Sequence, residues 1–183
     1  SALWNSNIIG RFIMNGGTIR TCTGLYSGGV DTSGSCIMSG GTIKASISTQ
    51  DASSGGVRND NQFTMTGGTI GDPDNENDAS HVYNTSSQET TLTISGNSKI
   101  YTNVTNVGIL NADGGGIAGT ITNDTNRYGT GTITDSEGAA DSTEFQGKVT
   151  NNGTIRKGTF TSEVINESSG TINGGTFTGT VEN

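Results

Sequence analysis

An aliphatic residue followed two positions later by Asn recurs along the chain: Leu3/Asn5, Val57/Asn59, Val82/Asn84, Ile109/Asn111, Ile121/Asn123, Val149/Asn151, Val164/Asn166 and Val181/Asn183, with Val30/Thr32 filling the one gap. Successive members lie 12 to 28 residues apart, so a register survives while the connecting segments change length, as in a solenoid of stacked units. A second pattern lies inside the early units: FIMNGGTI at 12–19, CIMSGGTI at 36–43, FTMTGGTI at 63–70 and a diverged LTISGNSKI at 92–100. The period of a strand turns Phe12, Cys36, Phe63 and Leu92 to one side together with Met14, Met38, Met65 and Ile94, and sends Asn15, Ser39, Thr66 and Ser95 to the other. The first set is apolar throughout and predicts an interior. The Gly-Gly pair predicts a corner with unusual backbone angles, after which Ile19, Ile43 and Ile70 open a further inward ladder.

The C-terminal units carry the same design with short connectors: Val149, Ile155 and Phe160, then Val164, Ile172 and Phe177, then Val181. Three strands per coil is the simplest architecture, with each coil stacked on the last at about 4.8 Å and like residues aligned in columns. Eight such steps predict a rod about 40 Å long. The expected fold is all-β, a parallel β-solenoid with no substantial helix, running as one unit over 1–183, with longer coils over about 1–108 and shorter ones over about 109–183. Stacked Asn amides are expected to bond one another along the rod, with the Asn backbone turning the corner in the left-handed region. The connectors 20–29, 44–56, 71–81 and 101–108 are expected to leave at one corner, the edge where repeat proteins place recognition.

Composition agrees with strands and sets limits on partners. Leu, Ile, Val and Phe make up about 19% of the chain, low enough that only their regular placement argues against disorder. Thirty Gly and abundant Thr disfavour long helices. A net charge of −8 repels nucleic-acid phosphates and anionic membrane surfaces. No apolar run is long enough for a spanning helix, so neither nucleic acid nor direct membrane insertion is expected. Cys22 and Cys36 are too few for a disulfide framework or a zinc site, and read mainly as core filler, with a single disulfide as the alternative.

The strings GGVRNDNQFTMTGGTIG and NNGTIRKGTFTSEVINESSGTINGGTFTGTVEN resemble the Gly/Thr-rich repeats of large bacterial surface proteins, including adhesin-like proteins of gut bacteria. The resemblance implies a right-handed β-helix of the pectin-lyase-like type, displayed extracellularly at the cell surface or secreted; the repeat is still in phase at Asn183, so further repeats of a longer chain are also expected. It names no ligand. Pectinases and polysaccharide lyases share this architecture, so a polysaccharide-active enzyme or its inactive relative is the competing class, although a fold alone licenses no activity. The paired acids such chemistry needs are not recognisable: no Asn-Thr-Asp, Asp-Asp or His-Gly signature occurs. His81, the only histidine, has no nameable partner for acid–base work. No catalytic residue is assigned.

Two sets of candidate binding residues remain. The position between the aliphatic and Asn members faces outward and carries Trp4, Asp31, Arg58, Tyr83 and Leu110 in one column. Trp4, Arg58 and Tyr83, with Tyr26 on the neighbouring connector, could stack on sugar rings or hold a host surface protein. The competing structural reading makes Asp31 and Arg58 a cross-coil ion pair, with the rings covering neighbouring surface. The second set is Asp72, Asp74, Glu76 and Asp78, alternating acids in the manner of a calcium loop. That match is partial, because an EF-hand loop needs Gly where Asn77 stands and Glu where Tyr83 stands, and a solvated acidic turn is the plainer reading. Apart from that Ca2+ candidate, no cofactor is expected.

Overall fold

The computed structural model of the chain describes residues 3–5, 10–50, 54–75, 77–85 and 90–183, and for Trp4 and Asn5 the backbone. Its first sheet has nine parallel strands: Leu3–Asn5, Val30–Thr32, Val57–Asn59, Val82–Asn84, Val104–Asn106, Ile121–Asn123, Val149–Asn151, Val164–Asn166 and Val181–Glu182. The second sheet has fourteen strands in two limbs. One limb begins with Arg11–Met14, Ser35–Met38 and Gln62–Met65; the other begins with Thr18–Arg20, Thr42–Lys44 and Thr69–Ile70. Thr91–Ile100 and Ile109–Ile117 each run unbroken from one limb to the other. No α-helix occurs among the described residues. The molecule is a parallel β-helix: every winding crosses three faces and hydrogen-bonds to the windings on either side.

The interior is a set of columns. Val30, Val57, Val82, Val104, Ile121, Val149 and Val164 line the first sheet, all essentially solvent-free. Opposite them, Cys36, Phe63, Leu92, Leu110, Ile133 and Ile155 form the second column, and Met14, Met38, Met65, Ile94 and Ala112 the third. A fourth column runs through Ile43, Ile70, Ile100, Ile117, Phe145 and Phe160. Leu3, Phe12 and Ile19 at one end and Ile172 and Phe177 at the other are only partly buried. No winding is thick enough to enclose its own apolar side chains, so each is buried by its neighbours.

The Gly-Gly corners follow from this stacking. Gly41 has φ 91°, and a Cβ there would lie 2.6 Å from the Met14 Cε and 2.8 Å from the Gly17 oxygen. Gly68 repeats the situation one winding later, with Met38 Cε at 2.7 Å and Gly41 oxygen at 2.8 Å. Gly17, in the first winding, also has a positive φ of 85° but meets nothing within 4 Å. Glycine is therefore required at the later corners twice over, by the left-handed backbone and by the previous winding.

The Asn ladder runs along the corner after the first sheet. The Asn59 Nδ2 donates to Asn84 Oδ1 at 2.7 Å, Asn84 to Asn106 at 2.7 Å, Asn106 to Asn123 at 2.8 Å, Asn123 to Asn151 at 2.7 Å, Asn151 to Asn166 at 2.7 Å and Asn166 to Asn183 at 3.1 Å. Each of the first six amides also donates to a backbone carbonyl where the chain turns, as Asn59 does to Thr91 at 3.0 Å and Asn123 to Gly131 at 3.0 Å. The buried amides are thus satisfied by one another and by the corner they shape, and such chains of bonds strengthen cooperatively. Thr32 takes the place of Asn in its winding, and its hydroxyl bonds the Gly34 backbone.

Several sequence expectations need correction. Val104/Asn106, not Ile109/Asn111, is the ladder pair of its winding, which replaces steps of 27 and 12 residues with 22 and 17. Ile109 and Asn111 belong to the second sheet, and Leu110 between them is fully buried, so it leaves the outward column. Thr105 takes its place there. Both pairs have an apolar residue two before Asn, and the period alone does not distinguish an inward pair from an outward one. The connector 101–108 consequently contains a strand. Among the described residues, the Asn residues do not use the left-handed region either, and the non-glycine residues with positive φ are Thr21 and Ala45. Finally, insertions leave at more than one corner: residues 124–131 form a hairpin directly after the first sheet, and 135–143 separate the two limbs of the second.

Candidate functional site

The outward column of the first sheet begins at position 4 and continues through Asp31, Arg58 and Tyr83, each paired in register with the next, to Thr105, Thr122 and Thr150. Parallel pairing without a register shift sets these positions one rise apart, about 4.8 Å. The Trp4 side chain lies outside the described residues. Asp31, Arg58 and Tyr83 are each half-buried.

Arg58 organises the cluster. Its Nε donates to the Asp60 carboxylate, the ion-pair distance being 3.1 Å, and its guanidinium lies 5.3 Å from the centre of the Tyr26 ring. The cross-coil ion pair with Asp31 does not form: among the described residues, Asp60, just past the end of the strand, is the acid that Arg58 contacts. Asp60 follows the strand Val57–Asn59 at its turn, where its N–H donates to the Thr32 carbonyl at 2.8 Å, and this holds its carboxylate where the Arg58 Nε meets it. Burial pushes the Asp31 carboxyl above its usual range; Arg58 pulls it down by a smaller amount and Asp60 adds to the rise. Tyr26, 49% exposed, sits on the connector 20–29, which is held by a short parallel pairing of Thr23–Gly24 with Ile47–Ser48 and by the Ser54 hydroxyl donating to the Tyr26 carbonyl. Leu25 and Ile47 are exposed on the same two connectors. The structure therefore places the Tyr26 ring against the Arg58 guanidinium and Tyr83 in register on the next winding, with position 4 in line, an arrangement suited to stacking on planar or ring-shaped ligands.

Among the described residues of the acidic segment, Asp72, Asp74 and Asp78 do not gather at one point. Asp72 bonds Lys44 Nζ at 2.7 Å and accepts from the Asp74 backbone at 3.2 Å, and these two bonds, with the lysine's charge, hold its carboxyl below the ordinary range. Asp78 turns inward, 3% exposed, and accepts from the backbone of Ala45 at 3.0 Å and of Ser80 at 2.8 Å. It thereby caps the left-handed turn at Ala45. Asp74 is exposed, and Glu76 lies outside the described residues. Among the described residues, no three His, Cys, Asp or Glu side chains gather as metal ligands. The two acids with identified partners serve the fold, so the calcium-loop geometry that the alternation suggested is not formed by them.

Cys36 is core, as expected, and burial pushes its thiol up to about 12. Cys22 is not core: it is half-buried on the connector, its Sγ donating to the Arg20 carbonyl at 3.1 Å. Both thiols are free. The backbone carbonyl of His81 accepts from Gly56 and Val57, anchoring the connector to the next strand.

One feature escaped the sequence reading. The hairpin over 124–131 stands beside the preceding winding and encloses a cleft of about 440 Å³ lined by Val107, Gly108, Ile109, Thr132 and the hairpin residues 126–130. The Asn-Arg-Tyr-Gly string at its tip was the available signal, since Asn and Gly at the ends of a two-residue tip mark a turn.

No family model, curated protein or solved structure matches this chain.

Proposed function

We propose that the chain is a structural and adhesive module of a bacterial surface or secreted protein, and that it binds carbohydrate or a host surface protein through the first-sheet column and the connectors beside it. The observation that carries this reading is Arg58, held by Asp60 over the Tyr26 ring in line with Tyr83. Rings and a fixed guanidinium on a hydrogen-bonded sheet present contact area that loses little conformational entropy on binding. The extracellular setting and the place within a longer repeat array rest on the resemblance of the Gly/Thr-rich repeats. Such a scaffold suits that role because each added winding extends it without a new core.

A glycan and mucin array probed with wild type, Trp4→Ala and Tyr83→Ala tests the reading. Loss of the bound signals in both variants supports it. Signals unchanged in both remove this column from the site, and an array blank for wild type removes carbohydrate. Hydrolysis or elimination products from acidic polysaccharides incubated with the protein would move the assignment to the enzymatic class.

A further inference from the structure

The fold does not require the hairpin at 124–131. At the same corner of the next winding, the chain passes from Asn151 to Thr154 through Asn152 and Gly153 alone, and the same Asn-ladder bonds are made. The longer connection is nevertheless firmly built. Thr125 pairs with Thr130 and Asn126 with Gly129, the Gly131 N–H donates to the Asp124 carbonyl at 2.7 Å, and the Thr125 hydroxyl donates to the Asn152 carbonyl at 3.1 Å, tying the hairpin to the following winding. Within the tip, Asn126 Oδ1 accepts from the backbone of Tyr128 at 2.8 Å and of Gly129 at 3.2 Å. What this framework holds out is Arg127 and Tyr128, the tyrosine 62% exposed, with the guanidinium 4.5 Å from its ring centre.

The charge is distinctive as well. In a chain of net charge −8, Lys44, Arg58, Lys148 and Lys157 each contact a carboxylate at 3.1 Å or less. Arg127 contacts none among the described residues, and Asp124, the nearest acid in sequence, uses its Oδ1 on the Thr125 N–H. Arg11, Arg20 and Arg156 stand exposed on or beside strands and Lys99 half-buried on one, whereas Arg127 is the one charged side chain among the residues lining the cleft. The cleft's volume lies in the range of small-ligand sites, which run from about 300 to 1,000 Å³. Its described lining combines a ring, a guanidinium, the hydroxyls of Thr130 and Thr132 and the apolar Val107 and Ile109.

We infer that this cleft is a second binding site, separate from the first-sheet column, that takes a saccharide unit bearing one anionic group. The guanidinium receives the anion in a forked pair of hydrogen bonds, for which its planar shape is suited. Tyr128 stacks on the sugar ring through the face that Arg127 leaves open, and the threonine hydroxyls meet the sugar hydroxyls. A carboxylate and a sulfate offer the same chemistry to Arg127, and the probes separate them.

The test is isothermal titration with 3′-sialyllactose, a glucuronic-acid-containing disaccharide and sulfated lactose, each against neutral lactose. Binding of at least one anionic probe about tenfold tighter than lactose is expected, with a loss of about tenfold in both Arg127→Gln and Tyr128→Ala. Arg127→Lys recovers only part of that loss, because it lacks the fork. Which probe binds identifies carboxylate or sulfate as the group recognised. Tyr83→Ala leaves these titrations unchanged, so failure of the column and failure of the cleft are told apart. The inference is overturned by no heat from any anionic probe at about 10 mM, a concentration well above a millimolar Kd. It is overturned equally by lactose binding as tightly, or by both Arg127→Gln and Tyr128→Ala binding like wild type.

Discussion

The early windings and the late ones enclose the same space with different side chains. From the second winding to the fifth, each winding contributes four interior residues: Val30, Cys36, Met38 and Ile43, for example, or Val57, Phe63, Met65 and Ile70. The Met column shrinks through Ile94 to Ala112 and then ends. From the sixth winding on there are three interior residues, and the last is Phe: Ile121, Ile133 and Phe145, then Val149, Ile155 and Phe160, then Val164, Ile172 and Phe177. The rings stack face to face, with centroids 4.6 Å apart between Phe145 and Phe160 and 4.8 Å apart between Phe160 and Phe177. Those distances equal the rise of the solenoid, about 4.8 Å. A planar ring fills the cross-section that two aliphatic side chains filled before, and Gly158 leaves it room, since a Cβ there would meet the Phe145 ring at 2.5 Å. The first sheet passes through both regions, and the Asn ladder runs unbroken from Asn59 in the third winding to Asn183, with Thr32 in its place in the second. What must be constant in this fold is therefore the hydrogen-bonded corner, and what can vary is how the interior is filled.

The hardest test of this comparison is Phe160→Ala, which removes the middle ring of the stack. It should cost about 3–5 kcal/mol. Phe177→Ala, at the half-buried end, should cost clearly less, and urea unfolding of both measures the difference. Equal costs would mean that the rings are not coupled. Next comes Asn106→Leu, which leaves a donor on Asn84 and an acceptor on Asn123 buried without partners. About 1–3 kcal/mol for each stranded group is expected. The same change at Asn183, the exposed end of the ladder, should cost a few tenths of that. Gly41→Ala against Gly17→Ala isolates the contact between windings, because both glycines have a positive φ but only Gly41 has a winding beneath it. Gly41→Ala should cost more by about 1–3 kcal/mol, the usual penalty for overpacking.

Much of the fold was legible in the sequence because the physics that builds it is periodic. Phe63, Met65 and Ile70 occupy interior positions that a two-residue period and a glycine corner predict. The error at Ile109 and Val104 shows the limit of that reasoning. The Asn111 amide donates to Thr93 on the outer surface, while Asn106 lies in the buried ladder; both fit the pattern, and only the requirement that every amide find the next one selects between them. The site was legible in part. Tyr83 stands in register beside Arg58, as the period requires, and the Tyr26 ring lies against the guanidinium, but the pairing of Arg58 with Asp60 depends on the turn after the strand, which spacing does not encode. In the acidic run the alternation says nothing about direction: Asp78 turns inward to cap a turn more than thirty residues away in sequence.

Smaller effects separate groups that serve the fold from groups that do not. Asp31 has a folded pKa raised above its unfolded value, so its ionisation destabilises the fold as pH rises past the unfolded value, and Asp31→Asn should raise Tm slightly at pH 7 while having little effect near pH 3. Asp72 is the opposite case. Its lowered pKa contributes stability present above the unfolded value and lost as pH falls through the folded one, so Asp72→Asn should lower Tm at pH 7 and matter little in strong acid. Iodoacetamide on the native protein should modify Cys22 and spare Cys36, whose thiol is buried and protonated, until denaturant is added.

The stacking of like side chains from successive windings is tested most directly by methyl NOE spectroscopy on protein labelled at the methionine methyls, since Met14, Met38 and Met65 are the only three in the chain. Register pairing of Met14 with Met38 and of Met38 with Met65 predicts cross-peaks between those neighbours, with none between Met14 and Met65, which lie two rises apart at about 10 Å. Methyls that show no contact with one another, or that respond to a soluble paramagnetic agent as exposed groups do, would contradict it.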